Sequence, residues 1–138
     1  MSDEQTPYEQ IGGQAGVVRL VAAFYARMDT LPAAAAIRAL HQDDLTSDRH
    51  KLAAFLSGWL GGPPLYWEAW GAPVIRERHR HLPIDADARR AWMLCMDGAL
   101  DEAVADPGLR RNLSRRFAAI AAHVQNVGRD PEPSAGGG

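Results

Sequence analysis

The sequence predicts an all-α protein with about four principal helices and several short ones. Three observations point there. Apolar residues recur at helical spacing in four separate segments, no run alternates as a half-buried strand would, and Gly/Pro clusters cut the chain between those segments.

Taken in order, residues 1–6 are polar and expected to be disordered. Pro7 opens a short helical turn with Tyr8 and Ile11, ended by Gly12-Gly13. From Gln14 to about Arg27, Val17, Leu20, Val21, Phe24 and Met28 form one apolar stripe, with Tyr25 at its edge. Asp29-Thr30-Leu31-Pro32 stops that helix and starts a short Ala-rich one over Ala33 to Leu40. After the polar turn His41-Gln42-Asp43-Asp44, Thr46 or Ser47 is placed to cap a third helix carrying Leu52, Phe55, Leu56, Trp59 and Leu60. Gly61-Gly62-Pro63-Pro64 is the strongest breaker. A loop with a little helix follows, rich in Tyr66, Trp67 and Trp70, and then the basic stretch from Val74 to Arg80, closed by Pro83. Asp85 can cap a longer helix with Ala88, Ala91, Trp92, Cys95, Ala99, Ala103 and Val104, broken by Asp106-Pro107-Gly108. The last helix carries Leu109, Leu113, Phe117, Ile120, Ala121, Val124 and Val127, with Gly128 suited to its C-cap. The domain limits expected are residues 7–128, followed by a flexible 129–138 tail.

The 138 residues suit one domain, and 46% hydrophobic content is enough for a core. A net charge of −2 advertises neither nucleic acid nor an anionic membrane. No apolar run is long enough to span a bilayer, and the polar N-terminus does not read as a signal peptide. One cysteine, Cys95, cannot form an intrachain disulfide or supply a cysteine-based metal centre, which fits a cytoplasmic protein. The histidines are therefore the ligands of interest. His79 and His81 stand two apart. On a helix they face different ways; on a strand they share a face and could hold a non-haem metal with a third ligand, for which only Asp85 is near. Arg80 and Pro83 weigh against a central strand. Taken alone, His79 reads as a surface residue, Trp92 as a core anchor and Tyr25 as a core-edge ring.

The motifs change that balance when read together. They are Gly12-Gly13, Phe24-Tyr25, Phe55-Leu56 ahead of Trp59-Leu60-Gly61-Gly62-Pro63-Pro64-Leu65-Tyr66, Arg78-His79 before Pro83-Ile84, and Ala91-Trp92 with Cys95-Met96. In this order and spacing the chain, from about Tyr8 to Val127, resembles the group II truncated haemoglobins, small globins with a two-over-two helical sandwich. The resemblance implies haem b as cofactor. It makes His79 the proximal iron ligand and Tyr25 a distal donor. Trp92 becomes an indole donor reaching the same face, and His41 a loop residue facing the pocket, although irregular spacing there leaves Leu40 as the alternative. Phe24, Leu52, Phe55 and Ile84 fall among its apolar haem contacts, and Lys51, Tyr66 and Arg78 at or near positions that meet the propionates. Ser47-Asp48 stands where ordinary globins keep a distal histidine, and a carboxylate there reads as a helix cap. His81 is assigned to solvent or the propionate rim, His50 and His123 to the surface. Trp59, Trp67 and Trp70 are assigned to packing. The run Arg110, Arg111, Arg115 and Arg116 is assigned to a solvated outer face.

The function this implies is reversible binding of dioxygen, carbon monoxide, nitric oxide or peroxide, with peroxidase-like or nitric-oxide-scavenging chemistry fed by a separate electron donor. Three donors around one ligand favour retention and chemistry over fast delivery. A monomer or homodimer is expected, with no nucleic-acid or membrane partner. Three other readings stay open. A haem-based gas or redox sensor would act through a partner, but nothing resembles an output domain. A non-haem metal enzyme would use His79 and His81. A haem-free helical interaction module would leave the placement of Tyr25 and Trp92 unexplained.

Overall fold

The computed structural model describes residues 5–73 and 82–126. Helix α1 spans Pro7–Gln10 and is set by a reciprocal cap. The Glu9 N–H donates to Thr6 Oγ1 at 3.2 Å, and the Thr6 N–H donates to Glu9 Oε1 at 3.0 Å. Thr6, counted in the disordered end on composition, is thus an ordered cap. Its T-x-x-E spacing is the reason.

Helix α2 spans Gly13–Thr30, three residues past the point where the apolar stripe was expected to end. Thr30 Oγ1 donates back to the Ala26 carbonyl at 2.8 Å, and the helix ends just before Leu31-Pro32. A 3₁₀ turn, Pro32–Ala34, then leads into α3, Ala35–Ala39. Helix α4 spans Thr46–Trp59. Neither Thr46 nor Ser47 caps it. The residue ahead of its first turn is Leu45, and the Asp44 carboxylate accepts from the Thr46 N–H at 2.9 Å and its hydroxyl at 2.6 Å. Helix α5 spans Leu65–Trp70, folded back on α4 by the Gly61-Gly62-Pro63-Pro64 turn, where Gly61 takes φ 99°. The buried Ser57 hydroxyl pins that turn by donating to the Pro63 carbonyl at 2.7 Å.

Helix α6 spans Ala86–Ala103, with Asp85 accepting from the Ala88 N–H at 2.8 Å. Helix α7 spans Pro107–Val124, with Asp106 accepting from the Leu109 N–H at 2.8 Å and Pro107 in the first turn, where no N–H is missed. It ends at Val124 with Gln125 as C-cap, short of the expected Gly128, which lies outside the described residues.

Two pairs build the sandwich: α2 with α4, and α6 with α7, joined by the packing of α2 on α6. Val17, Leu20, Phe24 and Met28 of α2 meet the small residues Cys95 and Ala99 and the larger Met96 and Leu100 of α6 in one buried core. Gly98 leaves room for the Arg27 side chain, since a Cβ there would lie 2.4 Å from Arg27 Nε. Arg27 runs over it to bond the Ala23 carbonyl at 3.1 Å and Glu102 at 2.9 Å. Among the described residues no single helix is long and apolar enough to cross a membrane.

Gly16 is the tightest point between α1 and α2, since a Cβ there would sit 1.9 Å from the Ile11 carbonyl oxygen. Gly16→Ala is expected to cost about 1–3 kcal/mol of stability, as overpacked positions do. Urea unfolding checks this. An unchanged midpoint would mean the junction has slack that its geometry denies.

Candidate functional site

The crossing of α2 on α6 sets two candidate residues, Tyr25 and Trp92, around the Phe24 ring. Phe24 is 1% exposed and lies between two partners. Its centroid is 5.0 Å from Tyr25, edge-on, and 5.2 Å from Trp92. Tyr25 is buried and Trp92 half-buried. His41, on the turn after α3, meets the other side of Tyr25 at 6.3 Å, again edge-on. Of the two residues left open by the irregular spacing, His41 is the one whose ring joins the cluster.

The His41 Nδ1 lies 2.8 Å from the Ile37 carbonyl oxygen. A carbonyl can only accept, so Nδ1 carries the proton. In the neutral ring Nε2 is then a lone pair, an acceptor and a base. His41, expected as a loop residue facing the pocket, can in its neutral form only accept through Nε2.

Tyr25 is the opposite. Burial, and next the carboxylate of Asp48, push its phenol well above the ordinary tyrosine range, while Arg49 opposes them. The hydroxyl therefore keeps its proton and stays a donor. Asp48, expected as a cap, stands in the first turn of α4 without capping it, since Leu45 precedes that turn and no side chain caps it. Its carboxylate bears on the charge state of Tyr25 instead.

A wall of half-buried apolar side chains flanks these polar groups. Leu52, Phe55 and Trp59 of α4, and Ala88, Trp92 and Met93 of α6, pack against the core without being fully covered by it. A wall of this kind with a few grouped polar atoms is what a large apolar planar cofactor needs. The donor set also suits a polar ligand held at its face. On these grounds the described residues fit haem.

At one end of the wall Tyr66 is buried, 6.3 Å from Phe55 and 5.0 Å from Trp70. Lys51 Nζ stands 5.9 Å from the Trp70 ring, and His50 meets the same ring at 5.7 Å. Lys51 and Tyr66, paired in the sequence reading as propionate partners, thus share one aromatic neighbour. Arg78, His79 and His81 lie outside the described residues.

Two contacts were missed from sequence. Asn126 clamps the chain just after the histidine stretch. Its side chain accepts from the Ile84 N–H at 2.9 Å and donates to the Leu82 carbonyl at 2.9 Å, while its own N–H donates to the Ile84 carbonyl at 2.8 Å. The only signal was a polar residue directly beyond the last helical turn. The second is Arg116. Assigned to a solvated face, it is half-buried with its guanidinium 4.3 Å from the Trp59 ring centroid. A long basic side chain can lay its flat head on an aromatic face that a helical-wheel reading does not see.

The sequence matches the bacterial-like globin family over residues 6–126. It is 37% identical over 120 residues to the group 2 truncated haemoglobin YjbI of Bacillus subtilis (strain 168), covering 87% of this chain and 88% of that protein. The fold is similar to a group II 2-on-2 haemoglobin from Agrobacterium tumefaciens, with TM-score 0.88, 43% identity, and coverage of 91% of this chain and 97% of the other. It is also similar to a cold-adapted truncated haemoglobin from Pseudoalteromonas haloplanktis TAC125, with TM-score 0.87, 41% identity, and coverage of 88% and 98%.

The Tyr25 shift has a signed consequence. Below the ordinary phenol value of 10.0 the hydroxyl is neutral in both folded and unfolded chains and adds no pH dependence. Above it the unfolded phenol ionises while the folded one resists. Stability then falls with rising pH by up to about 1.4 kcal/mol per unit from this residue. Urea unfolding of wild type and Tyr25→Phe at pH values on either side of that point is expected to show a steeper alkaline loss in wild type. Parallel curves would contradict the buried, protonated phenol.

Proposed function

Because the chain belongs to the bacterial-like globin family and is a truncated haemoglobin of group II, a haem-binding globin that takes gaseous ligands, we propose that it binds haem b through His79. Tyr25, Trp92 and His41 then hold dioxygen or a related small ligand on the opposite face. The observation that carries this is the grouping of Tyr25 and Trp92 on Phe24, with His41 edge-on to Tyr25, beside an incompletely covered apolar wall.

When bound, haem would supply an iron that can take a diatomic ligand or peroxide. His79 would hold it through its imidazole. Leu52, Phe55, Ile84 and Trp92 exclude water from the ring faces, and Phe24 backs both Tyr25 and Trp92 from within the core. Lys51, Tyr66 and Arg78 meet the propionates with charge and donors. Tyr25 and Trp92 donate, since a protonated phenol and an indole N–H suit a partly negative ligand. His41, with Nδ1 committed to Ile37, offers Nε2 as an acceptor. It can steady the Tyr25 hydroxyl or take a proton from a protic ligand such as peroxide. A pocket with two donors and one base supports retention of ligand together with peroxide reduction or nitric-oxide scavenging, fed by a separate electron donor. We further infer a cytoplasmic monomer or homodimer, supported by the single cysteine.

His79→Ala is expected to lose the five-coordinate ferrous spectrum, and His81→Ala to keep it. The reverse pattern would exchange their roles. A hydrogen bond to a charged acceptor contributes roughly 1.5–3 kcal/mol. Tyr25→Phe or Trp92→Phe should therefore speed oxygen release by about tenfold to a hundredfold in at least one case. Stopped-flow release with no change in either variant would show that the donors do not reach the ligand. Asn126→Ala removes two side-chain hydrogen bonds from the segment following His79. At about 1 kcal/mol each, haem transfer to an acceptor globin should run up to about thirtyfold faster, and an unchanged rate would remove Asn126 from the support of that segment.

A further inference from the structure

Trp92 is one end of a longer row of rings. It lies 5.9 Å from Phe117, and Phe117 lies 4.6 Å from Trp59. Trp59 is 6.4 Å from Phe55, and Phe55 is 5.8 Å from Trp67, these last two pairs stacked at 24° and 16°. Indole and benzene rings alternate along the whole row. It runs from the proposed ligand pocket to Trp67, which is 37% exposed.

Packing alone would be served by aliphatic residues at these positions. One further observation distinguishes the row. A Cβ on Gly58 would lie 2.5 Å from the Trp67 ring, so α4 lacks a side chain just where that indole lies against it.

We propose that this row conducts single electrons from the surface to the ligand pocket, and that Trp67 is a surface site where small phenols are oxidised at the expense of hydrogen peroxide. This rests on the peroxide-reducing part of the function proposed above. Hydrogen peroxide takes two electrons and two protons in the pocket, its O–O bond breaks, and two waters leave. Each electron comes from Trp92 and is replaced through Trp59 from Trp67. As Trp67 gives up an electron, its indole proton passes to water. A phenol at the surface then returns one electron and one proton to Trp67, breaking its own O–H bond and leaving as a phenoxyl radical. Two phenols balance one peroxide. Phe117 and Phe55 are harder to oxidise than indole and act as bridges across the gaps between indoles. Electron transfer falls steeply with distance, so losing the exposed indole of Trp67 removes the point where a phenol can hand over its electron.

The test uses the haem-loaded full chain in its ferric state, mixed with hydrogen peroxide and frozen rapidly for electron paramagnetic resonance. Ring-deuterated tryptophan assigns the signal. Wild type is expected to give a tryptophan radical that guaiacol discharges. Trp67→Phe is expected to lose the guaiacol-dischargeable radical, with the carbon monoxide spectrum checking that haem is bound as before. Peptide mass spectrometry of peroxide-treated wild type, which needs no variant, should find oxygen added at Trp67. Peroxide consumption with no oxidised Trp67 and the same radical in Trp67→Phe would overturn the conduit and leave the haem reading standing. A ferric protein that binds haem but does not consume peroxide would overturn the peroxide reading and the conduit together.

Discussion

The close crossing of α2 over α6 is the constraint on which the site depends. It brings the small buried residues Cys95 and Ala99 of α6 into the same core as Phe24, which is enclosed there. Once Phe24 is enclosed, Tyr25 on one side and Trp92 on the other have little freedom to move. A hydrogen-bond donor is worth more when it is held before the ligand arrives, because no ordering cost is then incurred on binding. The same packing that stabilises the fold therefore prepares the pocket.

Polarity in the pocket follows from two local facts. Burial keeps the proton on Tyr25, and the Ile37 carbonyl keeps a proton on His41 Nδ1. The phenol is committed to donating, while His41, when neutral, has only Nε2 left and there it accepts. The Trp92 indole can only donate. This division of labour suits a ligand that is partly anionic when bound and carries a proton when it arrives.

Much of the fold was legible in the sequence because its four principal helices each bury one regular apolar stripe, and because Gly61-Gly62-Pro63-Pro64 and Asp106-Pro107-Gly108 separate them sharply. Helix ends were less legible. Thr30 and Asp44 act through side-chain hydrogen bonds that periodicity does not register, and α7 ends at Val124 by handing its chain to Gln125 and the Asn126 clamp. The site residues were marked by the family resemblance more than by chemistry, since Tyr25 and Trp92 are indistinguishable from packing residues in isolation. The tautomer of His41, the Asn126 clamp and the seating of Arg116 on Trp59 depend on residues brought together by tertiary structure, and no local pattern announces them.

The central claim is that this chain holds haem with one face open to a small ligand. The most direct measurement is a titration of the purified protein with haemin. Absorption spectra follow in the ferric state, after dithionite, and again under carbon monoxide. Saturation at one haem per chain is expected, with a strong Soret band that shifts on reduction and shifts again with carbon monoxide. A protein that is colourless as purified and takes up no haemin would contradict the account at its root.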